Sequence, residues 1–216
     1  SRAAIDRWGW YNRNAAINPY LSEGKKTVTL EILEQLGWQA PDYIALSVGD
    51  GCTIAGAWKG LKDLYAAGFI DRLPRLISVQ AEGCCPLNRA VQTGRPWAPM
   101  EESTLADSIA VGVPRNPDKA LRAIRESDGV AVNVSDGEIL EAMRLLGRTA
   151  GAAGTAGVKK AVELGLIPAG STVVSIVTGN GLKDVQSGIQ AAGEPMRVSP
   201  DMDALLAAFA AQDIRP

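Results

Sequence analysis

The chain has 216 residues, of which 46% are hydrophobic and 21% are charged, a balance typical of globular proteins and not of disordered ones. The 22 basic residues are matched by 24 acidic ones, so no excess of positive charge is available for a nucleic-acid backbone. No apolar run approaches the roughly 18 residues of a membrane span, and the first residues lack the apolar core of a secretion signal. We therefore expect neither nucleic acid nor a membrane as a partner.

Histidine is absent, which excludes Ser–His and Cys–His catalytic pairs and zinc sites built with histidine. The three cysteines are Cys52, Cys84 and Cys85. Their odd number does not suggest a disulfide framework, and the adjacent pair lacks the Cys-x-x-Cys spacing of structural zinc sites. We interpret all three as small apolar residues of a cytoplasmic protein and predict no metal site.

Four apolar runs, each short enough to be a buried strand, are spaced along the chain. They cover residues 43–48, 75–80, 129–134 and 171–177. The run at 171–177 is the richest in β-branched residues and is therefore predicted to be a central strand of a parallel sheet.

Helical patterns fill the stretches between these runs. Apolar spacing predicts helices at 24–36, 54–68 and 154–165. Ser135 and Glu138 form a Ser-x-x-Glu capping box, which predicts a helix start after the third strand. Ser199 and Pro200 are typical of the N-cap and first position of a last helix. The proline-rich segment 94–118 is interpreted as a surface excursion. Strands separated by helices indicate a doubly wound, parallel α/β fold.

Two glycine-containing turns each follow a predicted strand and precede a helix start. The first turn covers residues 49–53 and the second covers residues 178–181. Such turns lie at the carboxyl ends of parallel strands, where α/β proteins bind ligands. Free N–H groups at the start of the following helix favour a phosphate, and we expect the carboxylate of Asp50 to point away from it. The alternative is that both are ordinary turns in which glycine serves packing alone.

The first turn also permits a nucleotide-binding interpretation. Gly49 and Gly51 have the spacing of the first two glycines of a Rossmann fingerprint. Glu82 ends the next predicted strand, where an acidic residue would bind a ribose. Ile54 stands where that fingerprint has its third glycine, so the motif is incomplete.

Three ordered motifs are more specific than these patterns. Residues 47–87 contain a glycine-rich loop, then Ala/Gly-x-x-x-Lys-Gly, Leu-Pro-Arg and Gln-Ala-x-Gly-x-x-Pro-Leu. Residues 18–38 contain Asn-Pro-x-x-x-Glu-Gly-x-Lys-Thr, and residues 173–184 contain Thr-Gly-x-Gly-Leu-Lys-Asp. In these motifs and in their order the chain resembles the threonine synthases, which are pyridoxal-phosphate enzymes of the tryptophan-synthase-β type.

The resemblance implies the fold of a type II pyridoxal-phosphate enzyme, incomplete at its N-terminus: three layers, with a mostly parallel twisted sheet and helices on both faces. Residues 41–216 would be the C-terminal part of the large cofactor-binding domain. Residues 1–40 would be the segment that leaves a small domain, plus the first helix. The implied activity is that of a lyase of threonine biosynthesis, which eliminates or replaces a group on a phosphorylated or activated amino acid, formally O-phosphohomoserine. The family also allows a homodimer.

The resemblance assigns roles to both turns. Backbone N–H groups of the first turn would hold the cofactor phosphate, and the hydroxyl of Thr178 would face the nitrogen of the pyridine ring. The first-turn residues are Gly49, Asp50, Gly51, Cys52 and Thr53. A neutral hydroxyl does not protonate the ring as a carboxylate would, which suits elimination and replacement. The alternative for Thr178 is a helix N-cap in front of Gly179.

Two departures from the family pattern bear on the site. The chain contains no Ser-x-Lys-Asp motif, so we expect the Schiff-base lysine to lie outside this chain and assign no catalytic residue within it. The chain would then be the C-terminal portion of such an enzyme, inactive alone, or a degenerate relative. Ala15, Ala16 and Leu21 stand where groups for a substrate phosphate are expected, which leaves Arg13 and Lys25 as weaker candidates. A third hypothesis is a non-catalytic fragment that associates with its missing half through apolar surface.

Overall fold

A computed structural model describes residues 2–15, 17–146, 151–179, 184–193 and 196–211. In these ranges four strands form one sheet: β1 (Tyr43–Ser47), β2 (Arg75–Ala81), β3 (Val130–Val134) and β4 (Val173–Ser175). The strand order is β3-β2-β1-β4, and every neighbouring pair is parallel.

The described ranges also hold ten α-helices. They are α1 (Arg2–Trp8), α2 (Pro19–Gly24), α3 (Thr27–Gln35), α4 (Cys52–Ala66), α5 (Pro86–Thr93), α6 (Pro117–Glu126), α7 (Asp136–Leu146), α8 (Ala152–Glu163), α9 (Val185–Ala192) and α10 (Met202–Ala211). None of the helices in the described ranges is long and apolar enough to span a membrane.

Side chains of β1 and β2 alternate between two buried clusters on opposite faces of the sheet, as the period of two along a strand requires. Ile44 and its partner Leu76 pack with residues of α3, α4, α5 and α6. Ala45 and its partner Ile77 pack with residues of α7, α8 and α9. Burial of a single Ile or Leu side chain contributes about 1.5–3 kcal/mol, so these clusters hold the three layers together. The predicted three-layer α/β fold is confirmed.

The chain changes direction across the sheet after β3. From β1 to β3 each strand is added on the same side, and the connecting helices α4, α5 and α6 pack in one buried cluster. Helices α7 and α8 then return the chain across the other face to β4, which lies beside β1. The carboxyl ends of β1 and β4 therefore form a topological switch point, which is where open α/β sheets bind their ligands.

Most predicted elements are confirmed. Strands β1, β2 and β3 and helices α4 and α8 fall where the apolar patterns place them. The capping box is present, since the Ser135 N–H donates to Glu138 Oε2 (2.7 Å) and the Glu138 N–H donates to Ser135 Oγ (3.3 Å).

Two predicted details are wrong and a third is shifted. The helix predicted at 24–36 is present as α3 (Thr27–Gln35) but begins three residues later, because residues 25 and 26 form the turn that follows α2. Thr29 of α3 packs on α4 and donates to the Ala57 carbonyl (3.2 Å). The cap of α10 is Asp201, whose carboxylate accepts the Ala204 N–H (2.9 Å), and not Ser199. Within the described sheet β4 is an edge strand of three half-buried residues, not a central one, since β-branched composition reports packing and not position.

Candidate functional site

A cavity of about 290 Å³ lies at the carboxyl ends of β1 and β4. Both predicted turns and the segment 108–111 contribute to it. The described lining residues are Ala15, Lys25, Ser47, Gly49, Asp50, Cys52, Thr53, Ser108, Ile109, Val111, Thr178 and Gly179. The structure thus brings Thr178 to the same cavity as the first turn, although more than a hundred residues separate them in sequence.

The backbone of the first turn has consecutive N–H groups without a partner in the described part of the chain. Just before the turn the Val48 N–H donates to the Val79 carbonyl (2.8 Å), and just after it the Ala55 N–H donates to the Gly51 carbonyl (3.2 Å). Between them, the N–H groups of residues 49–54 have no acceptor among the described residues. The first turn of α4 starts here, so the positive end of its dipole adds to these donors and favours an anion.

Gly51 shapes this turn for two reasons. Its φ of +84° is in the left-handed region, which costs an L-residue about 1–3 kcal/mol. A Cβ at this position would lie 2.6 Å from Ala120 Cβ and 3.0 Å from the Asn116 carbonyl oxygen. Gly51 itself is not among the lining residues; it allows the turn to pack directly on α6.

Asp50 is tied to the loop in front of α6. Its Oδ1 accepts the Arg115 backbone N–H (3.1 Å), and its carbonyl accepts the Asn116 N–H (3.0 Å). The Arg115 guanidinium is a more distant partner of the carboxylate at 3.8 Å. The negative charge of Asp50 is therefore engaged by protein groups.

The segment 108–111 forms one side of the cavity, so the interpretation of 94–118 as a surface excursion is wrong for this part. Ile109 is buried, and a Cβ on Gly49 would lie only 3.0 Å from Val111 Cγ2. A backbone hydrogen bond directly after the segment fixes its position: the Met100 N–H donates to the Gly112 carbonyl (3.2 Å). The apolar residues Ile109 and Val111 amid prolines were the available signal.

Ser47 is a site residue that the sequence patterns did not single out. Its Oγ is buried and has no hydrogen-bond partner in the described part of the chain, and the residue lines the cavity at the end of β1. A buried hydroxyl without a partner costs about 1–3 kcal/mol, so this atom fits a polar group of a bound molecule. The signal was a serine at the end of an otherwise apolar strand.

Thr178 is exposed and lines the cavity after β4. Close packing of α8 fixes this turn, because a Cβ on Gly151 would lie 2.6 Å from the Thr178 backbone nitrogen. Thr178 does not cap α9. The N-cap of that helix is Asp184, whose Oδ1 accepts a hydrogen bond from the Ser187 N–H (3.0 Å). Residues 180–183, which include most of the rest of the second turn, lie outside the described residues.

A buried polar network supports the first turn from below. Gln80 Nε2 donates to the Val48 carbonyl (3.1 Å), and the Asn88 N–H donates to Gln80 Oε1 (2.8 Å). Asn88 Nδ2 in turn donates to the Val132 carbonyl (2.9 Å), so β1, β2, β3 and α5 are connected. The predictions did not include these residues. The available sequence signal for this network was the presence of two polar residues, Ser78 and Gln80, in an otherwise apolar strand. Both are fully buried in the structure.

The cysteines lie in apolar surroundings. Cys52, Cys84 and Cys85 are buried free thiols, and burial raises the pKa of each. Thiols of this kind remain protonated and unreactive near neutral pH, in agreement with their interpretation as small apolar residues.

The residues that would support a dinucleotide site have other partners. The Glu82 carboxylate accepts from Lys160 Nζ (2.9 Å). Ile54, at the position of the missing third glycine, is a core residue with 1% of its surface exposed. The first turn therefore has the features of an anion site without the rest of a Rossmann fingerprint.

A parallel α/β sheet with unpaired N–H groups and two hydroxyls at its switch point defines a class of ligand-binding proteins that hold an anionic group at a helix N-terminus. The family described as pyridoxal-phosphate-dependent enzymes matches residues 1–179, and the chain belongs to this family.

Several similar proteins are threonine synthases. The chain is 43% identical over 199 residues to the threonine synthase of Methanosarcina acetivorans, covering 88% of this chain and 49% of that protein. It is 40% identical over 199 residues to that of Methanocaldococcus jannaschii, with the same shares, 88% and 49%. The chain thus spans about half the length of the curated relatives it matches.

Solved structures agree on the fold. The processed form of threonine deaminase isoform 2 from Solanum lycopersicum superimposes with a TM-score of 0.66 at 21% identity, covering 90% of this chain and 56% of that one. At this identity the likeness supports the α/β architecture alone.

Proposed function

We propose that this chain forms the cofactor-binding part of a pyridoxal-phosphate-dependent lyase of the threonine synthase type. The N–H groups of the first turn (Gly49, Asp50, Gly51, Cys52 and Thr53) would hold the phosphate, and the Thr178 hydroxyl would face the ring nitrogen. The observation that carries the proposal is that both turns line one cavity, with the amides of the first turn unpaired within the described residues.

The donor set of the cavity fits this cofactor. Unpaired amides at the start of α4 match a phosphate, and the Ser47 and Thr178 hydroxyls offer further polar partners. When bound, pyridoxal phosphate supplies an electron sink for chemistry at an amino-acid α-carbon. Thr178 would leave the ring nitrogen unprotonated, which favours elimination and replacement. The Arg115 amide holds the carboxylate of Asp50, which limits its repulsion of the phosphate.

We assign no catalytic lysine within this chain. Lys59 is paired with Glu23 and Asp63, and its hydrogen bond to Asp63, followed by that to Glu23, raises its pKa to about 12. An amine with so high a pKa is almost fully protonated at neutral pH and is a poor nucleophile. Lys160 is likewise paired, at 2.9 Å from Glu82 Oε1.

The substrate is proposed to be an amino acid with a leaving group on its side chain. O-phosphohomoserine is the substrate that the family resemblance implies; the side chain of Ala15, which lines the cavity, has no polar group for its phosphate, so backbone groups or other side chains would have to bind it. The proposal also includes residues 41–216 as the large-domain part and residues 1–40 as the segment that leaves a small domain. We also propose that the protein forms a homodimer and is located in the cytoplasm.

A chimera tests this function. We expect that the Methanosarcina acetivorans threonine synthase, with its matching half replaced by this chain, will release phosphate from O-phosphohomoserine and form threonine. In this chimera Thr178→Val will lower kcat by about tenfold, because a hydrogen bond to the ring nitrogen is lost. The exposed Thr172→Val at the other end of β4 will change kcat by less than about twofold.

Two results would contradict the proposal. One is a folded chimera that binds pyridoxal phosphate but neither eliminates nor replaces the phosphate group. The other is saturable binding of NAD that is lost in Glu82→Ala, which would favour the dinucleotide interpretation.

A further inference from the structure

We propose that the ammonium group of Lys25 binds the phosphate held by the first turn, so that one phosphate monoester dianion is shared between Lys25 and the N-terminus of α4. The inference rests on the proposed function, because it adds a side chain to the same cavity. Lys25 would then be a binding residue for the cofactor phosphate.

Close packing brings Lys25 to the start of α4. Lys25 lies between α2 and α3, and a Cβ added to Gly56 would lie 2.7 Å from Lys25 Cβ. Gly56 is four residues after Cys52, which is about one helical turn from the start of α4. The four-carbon stem of Lys25 therefore begins one turn from the free N–H groups, and the residue lines the cavity.

The charge of Lys25 has no carboxylate partner among the residues that the structure describes. Within the described part of the chain no carboxylate contacts Lys25 Nζ, whereas the adjacent Lys26 Nζ is paired with Glu23 (2.7 Å) and Asp63 (3.1 Å). Of the described lining residues, Lys25 alone carries a positive charge; the carboxylate of Asp50 accepts the Arg115 backbone N–H (3.1 Å) and has the Arg115 guanidinium at 3.8 Å. An ammonium beside the positive end of α4 is repelled by the helix dipole. A dianion between them removes this repulsion and is attracted by both.

The thiol of Cys52, the first residue of α4, provides a second indication of proximity. Burial raises the pKa of this thiol and the Asp50 carboxylate raises it further, while the Lys25 ammonium lowers it. Lys25 is therefore within electrostatic range of the N-terminus of α4. Lys119 also lowers this pKa, but it is exposed on α6 and is not among the lining residues.

Calorimetric titration with pyridoxine phosphate and with pyridoxine tests the inference. Neither compound has an aldehyde, so neither bonds covalently to lysine, and they differ in the phosphate alone. Lys25→Met will weaken binding of pyridoxine phosphate by about tenfold, because a charge-assisted contact is lost. Binding of pyridoxine will change by less than about twofold. Lys25→Arg, which keeps the charge, will restore most of the affinity for pyridoxine phosphate.

Lys119→Met is the matched control, since it removes the same charge near Cys52 without removing a lining residue. We expect it to leave both affinities within about twofold. An equal loss in Lys119→Met and Lys25→Met would overturn the proposal, because the effect would then be a long-range field. Circular dichroism of each variant verifies that the fold is retained.

The remaining outcomes separate this inference from the proposed function. No saturable binding of pyridoxine phosphate by the unaltered chain would overturn both. Binding that is unchanged by Lys25→Met would overturn the role of Lys25 alone. If Lys25→Met weakens only the binding of O-phosphoserine, added after pyridoxine phosphate has saturated the chain, Lys25 holds a substrate phosphate and the proposal is wrong.

Discussion

Gly51→Ala will lower the free energy of unfolding by about 2–4 kcal/mol, the sum of a left-handed backbone conformation and an overpacked contact. The residue has a φ of +84°, and its new methyl group would lie 2.6 Å from Ala120 Cβ, closer than two carbon atoms pack. Either the first turn or α6 must move. Because the Asp50 carbonyl and carboxylate are bonded to the loop before α6, this movement will also weaken binding of pyridoxine phosphate.

Gly68→Ala separates the two causes. Gly68 follows the C-cap of α4 with a φ of +77°, but no described atom lies within 4 Å of a Cβ at this position. Urea unfolding, followed by tryptophan fluorescence, to which the buried Trp58 contributes, should give a loss of about 1 kcal/mol for this variant and unchanged ligand binding. Equal losses in the two variants would show that backbone conformation alone accounts for the requirement for glycine at position 51.

Asn88→Leu will lower the free energy of unfolding by about 3–5 kcal/mol, because it leaves buried acceptors without donors. Asn88 is fully buried. Its Nδ2 donates to the Ser78 and Val132 carbonyls at 3.1 and 2.9 Å, and its Oδ1 accepts the Ser78 hydroxyl at 2.6 Å. A leucine side chain can neither donate to these carbonyls nor accept the Ser78 hydroxyl. Its two methyl groups also take more space than the planar amide of asparagine.

Gln92→Leu is the matched control for Asn88. Gln92 lies one turn further along α5, and its Nε2 also donates to a carbonyl of β3, that of Ala131 (3.0 Å). Gln92 is exposed, so water replaces the lost donor, and the expected loss is less than about 1 kcal/mol. A similar loss in both variants, measured as the urea midpoint at constant slope, would contradict the claim that the buried network stabilises the base of the cavity.

The features that sequence predicts well here are local. β1, β2 and β3 are short apolar runs between helices, and the bonds between Ser135 and Glu138 form over three residues, so no distant contact is needed to define them. The helix predicted at 24–36 begins only at Thr27, because the turn at residues 25 and 26 depends on packing against Gly56 and Gly60 of α4. The predicted central position of β4 was wrong, because the order of the strands depends on how the chain crosses back over the sheet after β3.

At the candidate site, too, local features could be predicted and features that depend on distant residues could not. The two turns could be predicted because glycine after a buried strand has a meaning within a few residues. The buried hydroxyl of Ser47, which has no partner among the described residues, and the contribution of segment 108–111 could not be predicted, because each depends on residues that are distant in sequence and meet at the switch point. Lys25 was a candidate from the family motif, but for a substrate phosphate and not for the phosphate at the first turn. A serine or a lysine has no local signature of lining a cavity.

The most direct test of the central claim is an amide NMR titration of this chain with pyridoxine phosphate. Residues 49–53 have N–H groups without acceptors among the described residues, and Thr178 lines the same cavity. We expect saturable shifts that are largest at Gly49, Gly51, Cys52 and Thr53, with a further shift at Thr178, and no comparable shift at residues 49–53 with pyridoxine. Saturable shifts elsewhere that leave these amides unchanged, or no saturable shift at all, would contradict the account.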